Sequence, residues 1–159
     1  MGAGKSTIGR MLASKLGFDF VDTDQVIEQR TGANIPWIFD VEGEVGFRDR
    51  EQAVLAELVL LDNTVIATGG GIVEREDNRK LLQSLNEVIY LTASIDQLVA
   101  RTSKDKKRPL LQVPDPKAKI IELLARRDPL YRAVASMTLI SDGLSPKIVA
   151  QKIVDTYPL

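Results

Sequence analysis

The sequence predicts an α/β fold with a parallel sheet, and three observations predict it. Short apolar runs alternate with amphipathic stretches along all 159 residues, the pattern of strands joined by crossover helices. Glycine-rich turns follow directly on such runs. A Gly-Lys-Ser-Thr segment leads straight into an amphipathic stretch, which is the setting of a phosphate-binding loop.

The elements are justified in chain order. Thr7 to Leu16 reads as helix, with Ile8, Met11, Leu12 and Leu16 on one face and Gly17 as the stop. Phe18 to Val21 reads as a strand ending at Asp22-Thr23-Asp24. Val26 to Arg30 suits a short helix, and 35–61 a helical region punctuated by Gly43 and Gly46. Thr64 to Ala67 is a strand that runs into Gly69-Gly70-Gly71. Asn78 to Ser84 is helix, Val88 to Leu91 strand, and Ile95 to Arg101 helix. The polar, proline-bearing stretch 102–117 has no period. Ala118 to Arg127 returns to helix, Met137 to Ile140 to strand, and Pro146 to Tyr157 to a closing helix with Pro at its start. Four strands are visible.

Composition narrows the chemistry. The chain has no cysteine and no histidine, so disulfides, thiolate zinc sites and His-dependent triads are excluded. A formal charge of −1 gives no global attraction to nucleic acid or an anionic membrane. No apolar run approaches the ~18 residues of a membrane span, and the expected location is cytoplasmic. The chemistry must run on carboxylates, lysine, arginine, hydroxyls and backbone amides, which suits phosphoryl transfer.

In "GAGKST", Gly2, Ala3 and Gly4 let backbone amides cradle phosphate oxygens, with Lys5 reaching the outer phosphates and Ser6 placed to ligate Mg²⁺ beside Thr7. A strand ending in Asp22 and Asp24 puts both carboxylates on one side if the backbone stays extended. Asp22 is then expected to support Mg²⁺ through water, and Asp24 to orient or deprotonate an acceptor hydroxyl. The alternative for Asp24 is a helix N-cap. Gly69–Gly71 permits either close approach to a ligand or only a tight turn. Arg48, Arg108 and Arg127 are bidentate donors for an anionic substrate, or else surface cations.

Taken together, "GAGKST", "DTD", "FRDRE", "GGG", "RPLL" and "RRDPLY" resemble, in this order and spacing, the shikimate kinase family, closest to its enterobacterial type. The resemblance implies a P-loop kinase of the nucleoside monophosphate kinase type, with a five-stranded sheet ordered 2-3-1-4-5 and helices on both faces. It implies transfer of the ATP γ-phosphoryl group to the 3-hydroxyl of shikimate. By position, Asp24 holds the reacting hydroxyl. Arg48 and Arg127 clamp the carboxylate, and Gly69, Gly70 and Gly71, with Phe39 and Phe47, line the pocket. Arg108 lies in a mobile lid over about 102–117 and reaches the ATP phosphates on closure. Arg101 and the Asp142–Pro146 loop, with Leu144 in a place where a polar residue is less surprising, flank the adenine. The substrate-binding helical segment spans about 24–52 of a single 1–159 domain, and a monomer is the default.

The family's first strand and first loop glycine would precede Met1. Burying strand side chains contributes roughly 1.5–3 kcal/mol each against a stability of about 5–15 kcal/mol. The expectation is therefore that the native protein starts upstream, and that the 159 residues alone are unstable or inactive. Rival readings are a related P-loop kinase for gluconate or a nucleoside monophosphate, and a nucleotide-binding module that no longer catalyses.

Overall fold

The computed structural model describes residues 2–103 and 105–157; Met1, Lys104, Pro158 and Leu159 lie outside them, and with Met1 the expectation about the chain's start. The order is α1 (Lys5–Leu16), β1 (Asp19–Asp22), α2 (Thr23–Thr31), α3 (Ile35–Leu58), β2 (Thr64–Ala67), α4 (Glu76–Gln83), β3 (Ile89–Thr92), α5 (Ile95–Thr102), a 3₁₀ turn (Pro109–Leu111), α6 (Pro116–Val134), β4 (Met137–Ile140) and α7 (Pro146–Thr156). All four expected strands are present and parallel in their pairings. β1 pairs with β2 from Asp19 opposite Thr64, and β3 pairs with β4 from Ile89 opposite Met137. Among the described residues they form two two-stranded sheets, β1-β2 and β3-β4. These are the two pairings that the order 2-3-1-4-5 places on either side of its first strand.

Helices cover both faces. Ile8 and Leu12 of α1 pack with Val149, Ala150 and Ile153 of α7 and against Val65, Ile89 and Leu139 of the strands. On the other side Leu55 of α3, Leu82 of α4 and Val134 of α6 close around Ile72 and Val73. A third cluster, Ile27, Ile35, Ile38, Phe47, Val54 and Leu58, joins α2 to α3 under Val21 and Ile66. A fourth holds Ala3, Ala93, Leu98, Leu111, Ile120 and Leu123.

Three local expectations are corrected. The chain turns helical at Thr23, so Asp22 and Asp24 are not partners on one extended strand. Asp22, not Asp24, is the N-cap of α2: its carboxylate accepts from the amides of Asp24 and Gln25. Helix α6 does not stop at Arg127 but runs through Pro129 to Val134. The proline costs one backbone hydrogen bond, and burial of Leu130, Tyr131 and Val134 against the α3–α4 side offsets it.

Helix α3 carries the bend that shapes the site. Gly43 has φ 70° and ψ −179° in its middle, a region essentially open to glycine alone. Phe39 and Phe47 flank that residue eight positions apart, about 12 Å along a straight helix. Their ring centroids are 4.9 Å apart.

Candidate active site

Helix α1 begins at Lys5 behind Gly4, which takes φ 88°, and no side chain caps it. The first-turn amides of such a terminus need acceptors and favour an anion. Gly2 has φ 65°, and a Cβ there would come 2.9 Å from Thr102 Cγ2. The loop is braced by Arg101, whose Nη1 donates to the Gly2 carbonyl at 3.2 Å and to Ser141 Oγ at 3.1 Å. Arg101 thus joins the phosphate loop to the segment holding Leu144. The Leu144 side chain itself turns inward and packs with the α1–α7 cluster, which leaves only its backbone for a polar contact.

Ser6 donates to Asp22 Oδ2 at 2.6 Å. A hydroxyl and a carboxylate beside an anion-binding helix terminus are hard oxygen donors, the type Mg²⁺ takes. Among the described residues no group of three or more His, Cys, Asp or Glu side chains converges.

Next to this loop a cavity of about 80 Å³ is lined by every residue expected to meet the substrate: Asp24, Phe39, Phe47, Arg48, Gly69, Gly70, Gly71 and Arg127. Arg108 lines it as well, with Lys107 and Pro109–Leu111. Leu111 anchors that segment in the Ala3–Leu98–Ile120 cluster. Arg108 is held by Asp105, Nε to Oδ2 at 2.7 Å.

Several residues of this region went unassigned in the sequence. Ile35 and Glu51 also line the cavity, and Glu51 is fully buried. It bonds Arg48, Nη1 to Oε2 at 2.8 Å, while Arg48 Nη2 reaches Glu44 Oε1 at 3.1 Å. The i, i+3 spacing of Arg and Glu inside "FRDRE" was the available signal. Thr23, fully buried, accepts from the Gly69 amide at 3.2 Å and ties the glycine run to α2. The Tyr131 hydroxyl donates to the Gly70 carbonyl. Glu74 fixes Arg127, Nε to Oε1 at 2.6 Å.

The glycines are there for closeness. A Cβ on Gly69 would stand 3.0 Å from both Asp24 Oδ1 and Glu51 Oε1, and one on Gly71 would fall inside the Arg48 guanidinium. The electrostatics follow from this crowding. Burial, with Arg108 adding to it, lowers Lys5 to about 8. Burial first and the neighbouring Asp22 charge second raise Asp24. Burial also raises Glu51, against the pull of Arg48. For Arg48 burial works downward, and the ion pairs with Glu51 and Glu44 outweigh it, so it is held above its ordinary value.

Five buried side-chain atoms among the described residues lack a hydrogen-bond partner, and four belong to side chains lining this cavity: Asp24 Oδ1, Glu51 Oε1, Arg48 Nε and Arg127 Nη2. Buried polar atoms are nearly always paired. Two carboxylate acceptors and two guanidinium donors together suit a ligand that carries hydroxyls and an anionic group.

Residues 1–158 match the sequence profile of the family described as shikimate kinase. A shikimate kinase of Pseudomonas aeruginosa strain LESB58 is 56% identical over 155 residues, covering 98% of this chain and 90% of the relative. One of Chromohalobacter salexigens is 54% identical over 154 residues, 97% of this chain and 86% of the relative. A shikimate kinase from Acinetobacter baumannii, solved in complex with shikimate, superposes with a TM-score of 0.96 at 49% identity, over 98% of this chain and 87% of that one. The enzyme from Bacteroides thetaiotaomicron superposes at 0.91 with 32% identity, over 100% of this chain and 94% of that one.

Proposed function

The chain belongs to the shikimate kinase family, and from that premise we infer how its residues move the γ-phosphoryl group of ATP to the 3-hydroxyl of shikimate. The products are shikimate 3-phosphate and ADP, and the setting is aromatic amino-acid biosynthesis. The observation that carries the reading is the set of four unpaired buried atoms around the small cavity. Shikimate supplies what they lack: ring hydroxyls for Asp24 and Glu51, and a carboxylate for Arg48 and Arg127.

ATP phosphates rest on the amides of residues 2–7 and on Lys5. Ser6, with Asp22 through water, would hold Mg²⁺, which would supply charge neutralisation for the phosphates. The 3-hydroxyl gives its proton to Asp24 as its oxygen bonds to the γ-phosphorus. The bond from that phosphorus to the bridging oxygen breaks, and ADP leaves with the electron pair. A carboxylate raised above its ordinary value is the better base for an alcohol. Arg108 meets the charge that builds on the transferred group, and Phe39 and Phe47 exclude water from the ring. Arg101 and the Asp142–Pro146 backbone flank the adenine. A monomeric, cytoplasmic enzyme completes the reading, with the segments 24–52 and 102–117 as substrate helices and lid of one domain. Among the described residues no helix is long and apolar enough to cross a membrane.

The test is shikimate-dependent ADP release with Mg²⁺-ATP. Asp24→Asn is expected to lower kcat about 10²–10⁴-fold with the Tm kept. ADP release that ignores shikimate, or an Asp24→Asn enzyme with undiminished kcat, would defeat this assignment.

A further inference from the structure

Helix α3 holds a second glycine, Gly46, which keeps helical backbone angles, so conformation does not call for it. Space does. A Cβ on Gly46 would stand 2.6 Å from Glu42 Cβ and 3.1 Å from Glu42 Oε2. In a straight helix the Cβ atoms of residues four apart stand about 5–6 Å from each other. Gly46 and Glu42 therefore lie on the inside of the bend at Gly43, and the bare glycine leaves the path along which the Glu42 side chain runs.

That path leads to Arg50. Its Nε donates to Glu42 Oε2 at 2.8 Å and its Nη2 to Oε1 at 2.7 Å. The two residues are eight positions apart, about 12 Å along a straight helix, a gap that the bend closes. The contact is two-pronged and charge-assisted, and the hydrogen bond from Arg50 holds the Glu42 carboxyl below its ordinary range. Among the described residues it is the one ion pair that joins 35–42 to 44–58.

The two arms of α3 carry different parts of the pocket. Ile35 and Phe39 line it from before the bend, and Phe47, Arg48 and Glu51 from after it. The second arm is fixed from outside: Arg75 pairs with Asp49 at 2.7 Å and donates to Gln52 Oε1 at 2.8 Å. Val54, Leu55 and Leu58 of that arm are buried, whereas the shorter first arm leaves Trp37 and Val41 exposed. A one-residue hinge with one ion pair across it sets how far the first arm stands from the second.

We propose that Glu42 and Arg50 are positioning residues for the acceptor: their ion pair closes the bend of α3 over the bare Gly46 and so holds Ile35 and Phe39 at their distance from Arg48 and Glu51. The proposal rests on the reading that this pocket takes shikimate. An exposed ion pair within a rigid element contributes little. One placed across a hinge shifts the hinge's population, and a ligand that needs the closed form reads that shift as affinity.

The test measures both consequences on the full chain. Glu42→Gln and Arg50→Gln are each expected to raise the shikimate KM about threefold to tenfold. The kcat and the ATP KM should not move, and Tm should change by no more than about 4 °C. Gly46→Ala, which keeps both charges and wedges them apart, should give the same split. The exchanged pair Glu42→Arg/Arg50→Glu should recover most of the loss that either reversal causes alone. In the free chain, amide exchange should quicken at 35–42 in the two glutamine variants and stay unchanged at 47–58. An unchanged shikimate KM in both glutamine variants would overturn the proposal, as would unchanged exchange at 35–42. So would an exchanged pair no better than the single reversals, or a fall in kcat with the KM unmoved. Faster exchange at 35–42 in a chain whose ADP release ignores shikimate would keep the pair as the closure of the bend and remove shikimate as the acceptor.

Discussion

Asp24 and Lys5 each lie within the other's field, and their shifts set opposite limbs of one pH profile. Lys5 must be charged to hold phosphate, and burial has lowered it to about 8, so its contribution is present below that value and lost as pH rises through it. Asp24 must be ionised to accept a proton, and burial has raised it, so activity is lost as pH falls through a value above the ordinary 3.8. The kcat/KM for ATP is expected to be bell-shaped, with an alkaline limb near 8 in the free enzyme. In Arg108→Ala that limb should move upward, since Arg108 helps to lower Lys5. A limb that stays in place in the variant would separate Lys5 from it. Gly71 offers a second test at this scale. Alanine there collides with the Arg48 guanidinium, which Glu51 and Glu44 hold in place. Gly71→Ala is expected to raise the shikimate KM about tenfold or more, the loss of a charged hydrogen bond, with the ATP KM unmoved.

Helix α3 carries its function in its bend. Gly43 adopts a backbone that alanine resists by about 1–3 kcal/mol. No neighbouring atom lies within 4 Å of a Cβ built there, so the cost is conformational rather than steric. Gly43→Ala should lower Tm by about 2–10 °C and raise the shikimate KM, because straightening the helix separates Phe39 from Phe47. Thermal unfolding and initial rates on one preparation check both. An unchanged KM would show that the bend does not shape the pocket. The segment proposed as a lid is anchored by burial instead. Leu111 is buried beneath the 3₁₀ turn among Leu98, Ile120 and Leu123. Leu111→Ala should open the 105–115 segment to proteolysis and lower kcat/KM for both substrates by about tenfold. Limited digestion with and without ADP and shikimate is the measurement.

Across the whole molecule, the site is a meeting of chain segments from opposite sides of two sheets. The glycine run is tied to α2 through Thr23, to α6 through Tyr131, and is continued by a loop that Asn78 and Arg79 brace at Ile72, Val73 and Glu74. Glu74 in turn orients Arg127.

The sequence by itself determined the order of elements, the phosphate loop and those pocket residues that stand in its motifs. Those features are written in local periodicity and in short motifs whose residue types admit few other uses. Asp24, Arg48, the glycine run and Arg127 were legible because each stands in a motif, and they converge on one cavity. Only the tertiary structure decided which carboxylate caps α2, because Thr23 turns helical once Ile27 is buried against α3. It decided that α6 passes through Pro129, because burial beyond the proline outweighs one lost backbone bond. It also revealed Glu51 as the buried partner of Arg48. A lone glutamate in a helix reads as a surface charge until packing removes its water, and what it pairs with is then fixed by the fold rather than by its neighbours in the chain.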